Sequence, residues 1–314
     1  MNIRHEFPRP EAIPVSIDHH SPLLLLGSCF SEHIANELRK SGFSVLSNPF
    51  GVVFHPVPLA RFIRESIEGT VTERIVQRED VFLSMDASSA VYSLSEAGLR
   101  SELAAIREEF RRTLMTARTL IVTFGSAHGY RLKTREEEIV ANCHKIPQSS
   151  FHKALTPSEE LLAEWTRTLE LLNAFNPDLE VVFTVSPVRY SRDGWVENNR
   201  SKARLLLLTE ALQQACGVHY FPAYEIVNDL LRDYRYFEQD GVHPNGLATK
   251  QVWEVFADWY FDERTRQLVS EVQTLRRMES HRLLFPESAA SAKFLENFHE
   301  KRESFLSLHP FIVW

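Results

Sequence analysis

Cysteine is scarce in this chain: three among 314 residues, at positions 29, 143 and 216. An odd number with no Cys-x-x-Cys pair excludes a disulfide framework and argues against a structural zinc site; it suits a reducing, cytoplasmic setting. Excess positive charge is also missing, since 35 Lys and Arg against 42 Asp and Glu leave a net charge of −7. A general basic surface for nucleic acid is therefore not expected. No apolar run approaches the roughly 20 residues that a membrane-spanning helix requires. The first residues, Met1 to Pro8, lack the apolar stretch of a secretory signal. Histidines 19, 20, 33 and 55 show no metal-ligand spacing and read as surface or locally satisfied groups, so no metal site is expected. What remains is an ordinary globular composition, 44% hydrophobic and 25% charged, in a chain long enough for one large α/β domain with insertions.

The most informative stretch is Leu23-Leu24-Leu25-Leu26-Gly27-Ser28-Cys29-Phe30-Ser31. Four leucines after Pro22 predict a strand buried on both faces, broken at Gly27 and followed by a helix to about Lys40. Such a helix aims its free N–H groups and positive dipole end at the turn. Two nucleophile-type side chains stand there, the Ser28 hydroxyl and the Cys29 thiol.

Further buried strands are expected at Phe43–Leu46, Thr119–Gly125, Leu179–Val185 and Val218–Phe221. Between them the periodicity predicts helices from Pro58, over Ser95–Ala117, from Thr156-Pro157 to Phe175, over Ser201–Ala215 and over Ala223–Arg232, with another closing at Tyr260. Strand-rich insertions are expected over 71–93 and 130–140. The alternation of strand and helix predicts a three-layer, doubly wound parallel sheet over residues 1–260. Residues 261–314 read as a helical extension packed on that domain, available for homo-oligomer contacts. In such folds, sites gather beyond the carboxyl ends of the strands.

Asp240-Gly241-Val242-His243-Pro244 lies at the mouth of the last helix of that domain. An Asp three residues before a His can hold the imidazole in one tautomer, leaving it to act as general base for a nucleophile. The same pattern also caps helices. Ser186 and Arg189 follow a strand and face the same expected edge. Asn198, Ser201 and Lys202 open the next helix, where Ser201 reads equally as an N-cap and Lys202 as a solvated charge.

Together, Gly27-Ser28-Cys29-Phe30-Ser31, Asn48-Pro49-Phe50-Gly51, Asn142-Cys143-His144-Lys145, Thr184-Val185-Ser186-Pro187-Val188, Asn198 with Ser201-Lys202, and Asp240-Gly241-Val242-His243-Pro244 resemble the GSCFA family. That family is related to the SGNH/GDSL hydrolases, flavodoxin-like α/β enzymes that cleave or transfer acyl esters. The resemblance implies the register Gly27, Ser28, Cys29 on the superfamily's Gly-Asp-Ser block, which places Cys29 at the nucleophile. Ser28 is the competitor if the turn is offset by one residue. The resemblance further implies His243 as base, Asp240 as its orienting acid, and the Gly51 N–H as an oxyanion donor in the loop that holds Asn48. The superfamily's Gly-x-Asn block reads Gly125-Ser126-Ala127 here, without its asparagine. Asn142 is the expected replacement, with His144, Lys145 and Ser186 as polar contacts. These readings imply hydrolysis of a small or carbohydrate-borne acyl ester with no cofactor. An acyltransferase drawing on acyl-CoA and a non-catalytic binding module on the same fold are the alternatives.

Overall fold

The computed structural model describes residues 7–11, 13, 15–134 and 138–314. Its centre is a five-stranded parallel sheet. Strand β1 (Leu23–Gly27) leads into α1 (Cys29–Lys40), β2 (Val45–Ser47) and α2 (Pro56–Glu68). An antiparallel insertion, β3 (Ile75–Arg78), β4 (Val81–Ser84) and β5 (Tyr92–Ser93), precedes α3 (Glu96–Leu114) and β6 (Thr119–Phe124). A second insertion follows as β7 (His128–Leu132), β8 (Ile139–Val140) and β9 (Phe151–Leu155), then α4 (Ser158–Phe175) and β10 (Glu180–Val185). Helix α5 (Trp195–Cys216), β11 (His219–Tyr220), the single turn α6 (Ala223–Glu225) with its π-helical continuation to Leu230, and α7 (Gly246–Tyr260) complete the domain.

The strand order is β2-β1-β6-β10-β11. Counting only sheet strands along the chain, this is 2-1-3-4-5, the flavodoxin-like arrangement, whose order reverses between β1 and β6. Side chains alternate between the two faces of the sheet. Leu24, Leu26, Val122, Phe124, Phe183 and Val185 join a core with α2, α3, α4 and α5. Leu23, Leu25, Ile121 and Val182 join the other, with α1 and α7. This is the three-layer fold that the strand and helix periodicity predicts.

Beyond Tyr260, α8 (Glu263–Glu279) and α9 (Ala289–Leu308) build a small core of their own around Leu268, Val272, Leu275, Phe305 and Ile312. It sits on the end of α1: the Val313 N–H donates to Gly42 O at 2.9 Å, and Arg276 reaches Arg39 O at 3.2 Å. Among the described residues, no helix is long and apolar enough to cross a membrane.

Several expected boundaries move. Helix α5 starts at Trp195, six residues before the expected Ser201, so Ser201 and Lys202 lie inside the helix and are buried. Thr156 does not cap α4, which begins after Pro157 with no side-chain cap; the Thr156 hydroxyl instead meets His55 Nε2 at 2.9 Å. Residues 223–232 do not form a regular helix but a single turn running into π geometry.

Candidate active site

The Gly27 turn is held by close backbone packing. Gly27 has φ +127°, and a Cβ there would fall 2.1 Å from Thr123 O on the neighbouring strand, so only glycine fits. Its N–H donates to Asn48 Oδ1 at 2.7 Å, and its carbonyl accepts from Val53 N at 3.1 Å. Asn48 also donates through Nδ2 to Glu32 Oε1 at 2.7 Å and to Ser31 Oγ at 3.1 Å. Every polar atom of the Asn48 side chain thus fastens the loop after β2 to the turn.

Ser28 and Cys29 take different parts. Ser28 is the N-cap of α1; its hydroxyl accepts from Phe30 N at 3.3 Å and the residue is 1% exposed. Cys29 is the first helical residue and is only partly buried. Burial raises the thiol above its ordinary range, opposed by the N–H groups of Cys29 and Phe30 and by the charge of Lys202.

Lys202 occupies the centre of this edge of the sheet. Its Nζ donates to Gly125 O at 2.8 Å and to Ser186 O at 2.6 Å, bridging the exits of β6 and β10. The side chain is fully buried, and desolvation pulls the amine down to about 7, with the Cys29 charge the opposing influence. Beside it, Ser201 Oγ accepts from Ala127 N at 2.8 Å.

Asp240 and His243 form a compact pair. Asp240 Oδ1 accepts from the N–H groups of Val242 at 2.9 Å and His243 at 3.0 Å, and Oδ2 lies 2.6 Å from His243 Nδ1. Those bonds hold the carboxyl down at about 2. The ionised carboxylate can only accept, so the pairing assigns a ring proton to Nδ1. The turn is tied to the exit of β10 through Arg189 N and Val242 O at 3.1 Å. Its imidazole influences His33, one helical turn beyond Cys29 on α1. No hydrogen bond joins His243 to Cys29 or to Ser28, contrary to the expectation of direct contact; the Asp240–His243 pair stands half exposed at the rim.

Residues 22–256 match the GSCFA family. The chain belongs to the GSCFA family. No curated protein matches it. Among solved structures it is similar to an acetyl xylan esterase from the rumen bacterium Butyrivibrio proteoclasticus, at 10% identity and a TM-score of 0.42. That alignment covers 79% of this chain and spans 65% of the esterase.

In this GSCFA-family protein the expected oxyanion and substrate contacts fare unevenly. The Gly51 N–H is already bound to Asn48 O at 2.7 Å, so it is not a free donor. Glycine is required there because φ is +80° and a Cβ would strike Ser88 Oγ. Asn142 spends its side chain on His144 N at 2.9 Å and faces Ser89 at 3.5 Å. His144 is buried between Ser89 Oγ at 3.0 Å and Ser84 O at 2.7 Å. Asn142 and His144 therefore lash the two insertions together, while Lys145 is exposed. Ser186 does lie at the site: it is buried, gives its carbonyl to Lys202, and lines a cavity of about 120 Å³.

That cavity opens between Phe54, Gly125, Tyr130, Lys153, Ser186 and Tyr190. The Lys153 ammonium pairs with the Asp193 carboxylate and lies 5.0 Å from the Tyr130 ring centre and 5.5 Å from that of Tyr190. Larger hollows lie elsewhere, one of 420 Å³ around Leu179 and Gly217 at the amino-terminal edge of the sheet; it contains none of the candidate site residues. No cluster of three His, Cys, Asp or Glu side chains able to hold a metal occurs among the described residues. Lys202, a solvated charge by its sequence position alone, is the buried centre of this site. A lysine just before the leucine-rich run Ala203 to Leu208 was the available signal, since such a helix must bury one face.

Proposed function

We propose that this GSCFA-family chain cleaves small acyl esters through a covalent acyl-Cys29 intermediate. The observation that carries the reading is the placement of Cys29. It is the first residue of the helix that follows the first sheet strand, at the switch point of a 2-1-3-4-5 sheet, and it is only partly buried. The amide of Cys29, free of any helical acceptor at this position, is the oxyanion donor that engages as the carbonyl becomes tetrahedral.

His243 takes its part in the second half of the reaction. With Nδ1–H held by Asp240, its Nε2 accepts a proton from water, and the hydroxyl oxygen attacks the thioester carbonyl. The C–S bond then breaks, the imidazolium returns its proton to the sulfur, and the free acid leaves. This step requires the rim turn to carry the ring to the acyl-enzyme. The cavity beside Ser186 is well below the roughly 300–1,000 Å³ of pockets for drug-sized ligands, which favours a short acyl group. The exposed rings of Trp195 and Tyr234, 56% and 74% accessible, offer flat faces for an alcohol part such as a sugar.

The test is turnover of p-nitrophenyl acetate and of an acetylated sugar by the full chain and by Cys29→Ala. Hydrolysis by the full chain and its loss in the variant is the expected result. No turnover of either ester, or equal turnover by both proteins, overturns the reading. Acetyl transfer from acetyl-CoA to a sugar hydroxyl, without release to water, would replace hydrolysis by transfer on the same acyl-Cys29.

A further inference from the structure

Among the described residues, Lys202 is a lysine without a counter-ion. It is enclosed between α5 and the sheet, and its hydrogen-bond partners are two carbonyl oxygens, Gly125 O at 2.8 Å and Ser186 O at 2.6 Å. The ring of Tyr224 has its centre 6.0 Å from Nζ. Burial without a counter-ion disfavours the ionised ammonium in that position. Uncharged, the amine has two hydrogens and one lone pair. Both hydrogens are directed by the two carbonyls, which fixes where the lone pair points.

The strand register places that amine beside the Gly27 turn. Gly27 on β1 pairs with Thr123 on β6, Thr184 on β10 pairs with the same Thr123, and Val185 pairs with Phe124. Gly125 and Ser186 are thus the next residues out from the sheet on β6 and β10, just as Ser28 is on β1, with Cys29 following it at the start of α1. Cys29 is also the one ionisable group whose charge acts on Lys202, and Lys202 acts in turn on Cys29.

We propose that Lys202 is the proton acceptor for the Cys29 thiol, a role that rests on Cys29 being the nucleophile. As the sulfur attacks the ester carbonyl, the C–S bond forms, the carbonyl π pair moves onto oxygen, and the thiol proton passes to Nζ. When the C–O bond breaks, the departing alkoxide takes that proton and the amine is restored. The ordering of the two groups fits this scheme, for burial raises the thiol and lowers the amine to about 7, so that above neutral pH a neutral thiol faces a neutral amine.

Alkylation of Cys29 by iodoacetamide, followed by peptide mass spectrometry from pH 5 to 10, tests the pairing without any ester. In the full chain the Cys29 rate is expected to rise through a midpoint near neutral pH, following the free amine. Lys202→Met removes the acceptor. Lys202→Gln keeps two N–H groups for the carbonyls and removes the basic lone pair. Both variants are expected to alkylate Cys29 at least about tenfold more slowly at pH 7.5, while Cys143 and Cys216 react unchanged. Unaltered Cys29 profiles in folded variants would overturn the proposal. If neither variant melts cooperatively, the unsubstituted protein decides: a Cys29 midpoint at or above that of an ordinary thiol overturns it. Loss of ester turnover in every assay with the expected alkylation profile would instead overturn the ester reading alone.

Discussion

Asp240 Oδ2 lies 2.6 Å from His243 Nδ1, while no hydrogen bond carries the imidazole on to Cys29. The pair is therefore oriented but not engaged, at the rim above α1. Cys29 acylation and its reversal are expected to separate under mutation. His243→Ala should slow release of the acyl group by roughly 10²–10⁴-fold while leaving the first, stoichiometric burst of p-nitrophenol nearly intact. Asp240→Asn should fall between, because the ring loses its fixed tautomer. Stopped-flow measurement of burst and steady state checks this; a burst abolished along with turnover would place His243 in the attack step.

A second expectation concerns the turn itself. Asn48→Ala removes the acceptor of the buried Gly27 N–H and the donor to Glu32, and should cost about 1–3 kcal/mol. Gly27→Ala forces a Cβ against Thr123 O at a positive φ and should cost at least about 3 kcal/mol. Urea denaturation of both variants gives the comparison. An Asn48 variant as stable as the parent would show that the loop after β2 is held by something else.

Stability should also depend on pH through Glu65. Burial, with the Asp86 charge adding, raises its carboxyl from 4.5 to about 7 against the pull of Arg107, Arg61 and Arg74. The unfolded chain loses this proton above 4.5 and the folded protein only near 7. The unfolded state therefore binds fewer protons in that window, and stability falls as pH rises across it, by up to about 3 kcal/mol. Glu65→Gln should flatten the slope between about pH 5 and 7. Parallel melting-temperature curves for the two proteins would contradict the assignment.

Trp195 and Tyr234 separate sugar recognition from acyl chemistry. Replacing either with Ala is expected to raise KM several-fold for an acetylated sugar and to leave p-nitrophenyl acetate unaffected. Equal effects on both esters would show that these rings serve the fold.

The sheet was readable because its strands are continuous apolar runs, Leu23 to Leu26 and Val181 to Val185, separated by amphipathic helices. The Gly27 turn was readable too, since glycine, a capping serine and a helix follow one another. Lys202 was less so: its helical spacing from Leu205, Leu208 and Leu212 marks the buried face, but a lysine at the expected helix start reads as a solvated charge, and the start at Trp195 puts it inside α5. Asn142 and His144 misled for the opposite reason. Their polar atoms suit a reactive site, but the insertions they join lie far apart in the chain, and only the folded structure reveals Ser84 and Ser89 as their partners. Gly51 looked like a donor loop and proved to be a glycine demanded by the nearness of Ser88.

The central claim is that Cys29 becomes acylated. Mixing the full chain with p-nitrophenyl acetate, quenching in acid within the burst and mapping peptides by mass spectrometry tests it directly. The expected result is one acetyl group on the Cys29 peptide, removed by neutral hydroxylamine and increased in His243→Ala. An acetyl group on Ser28, or turnover with no label on either residue, would contradict it.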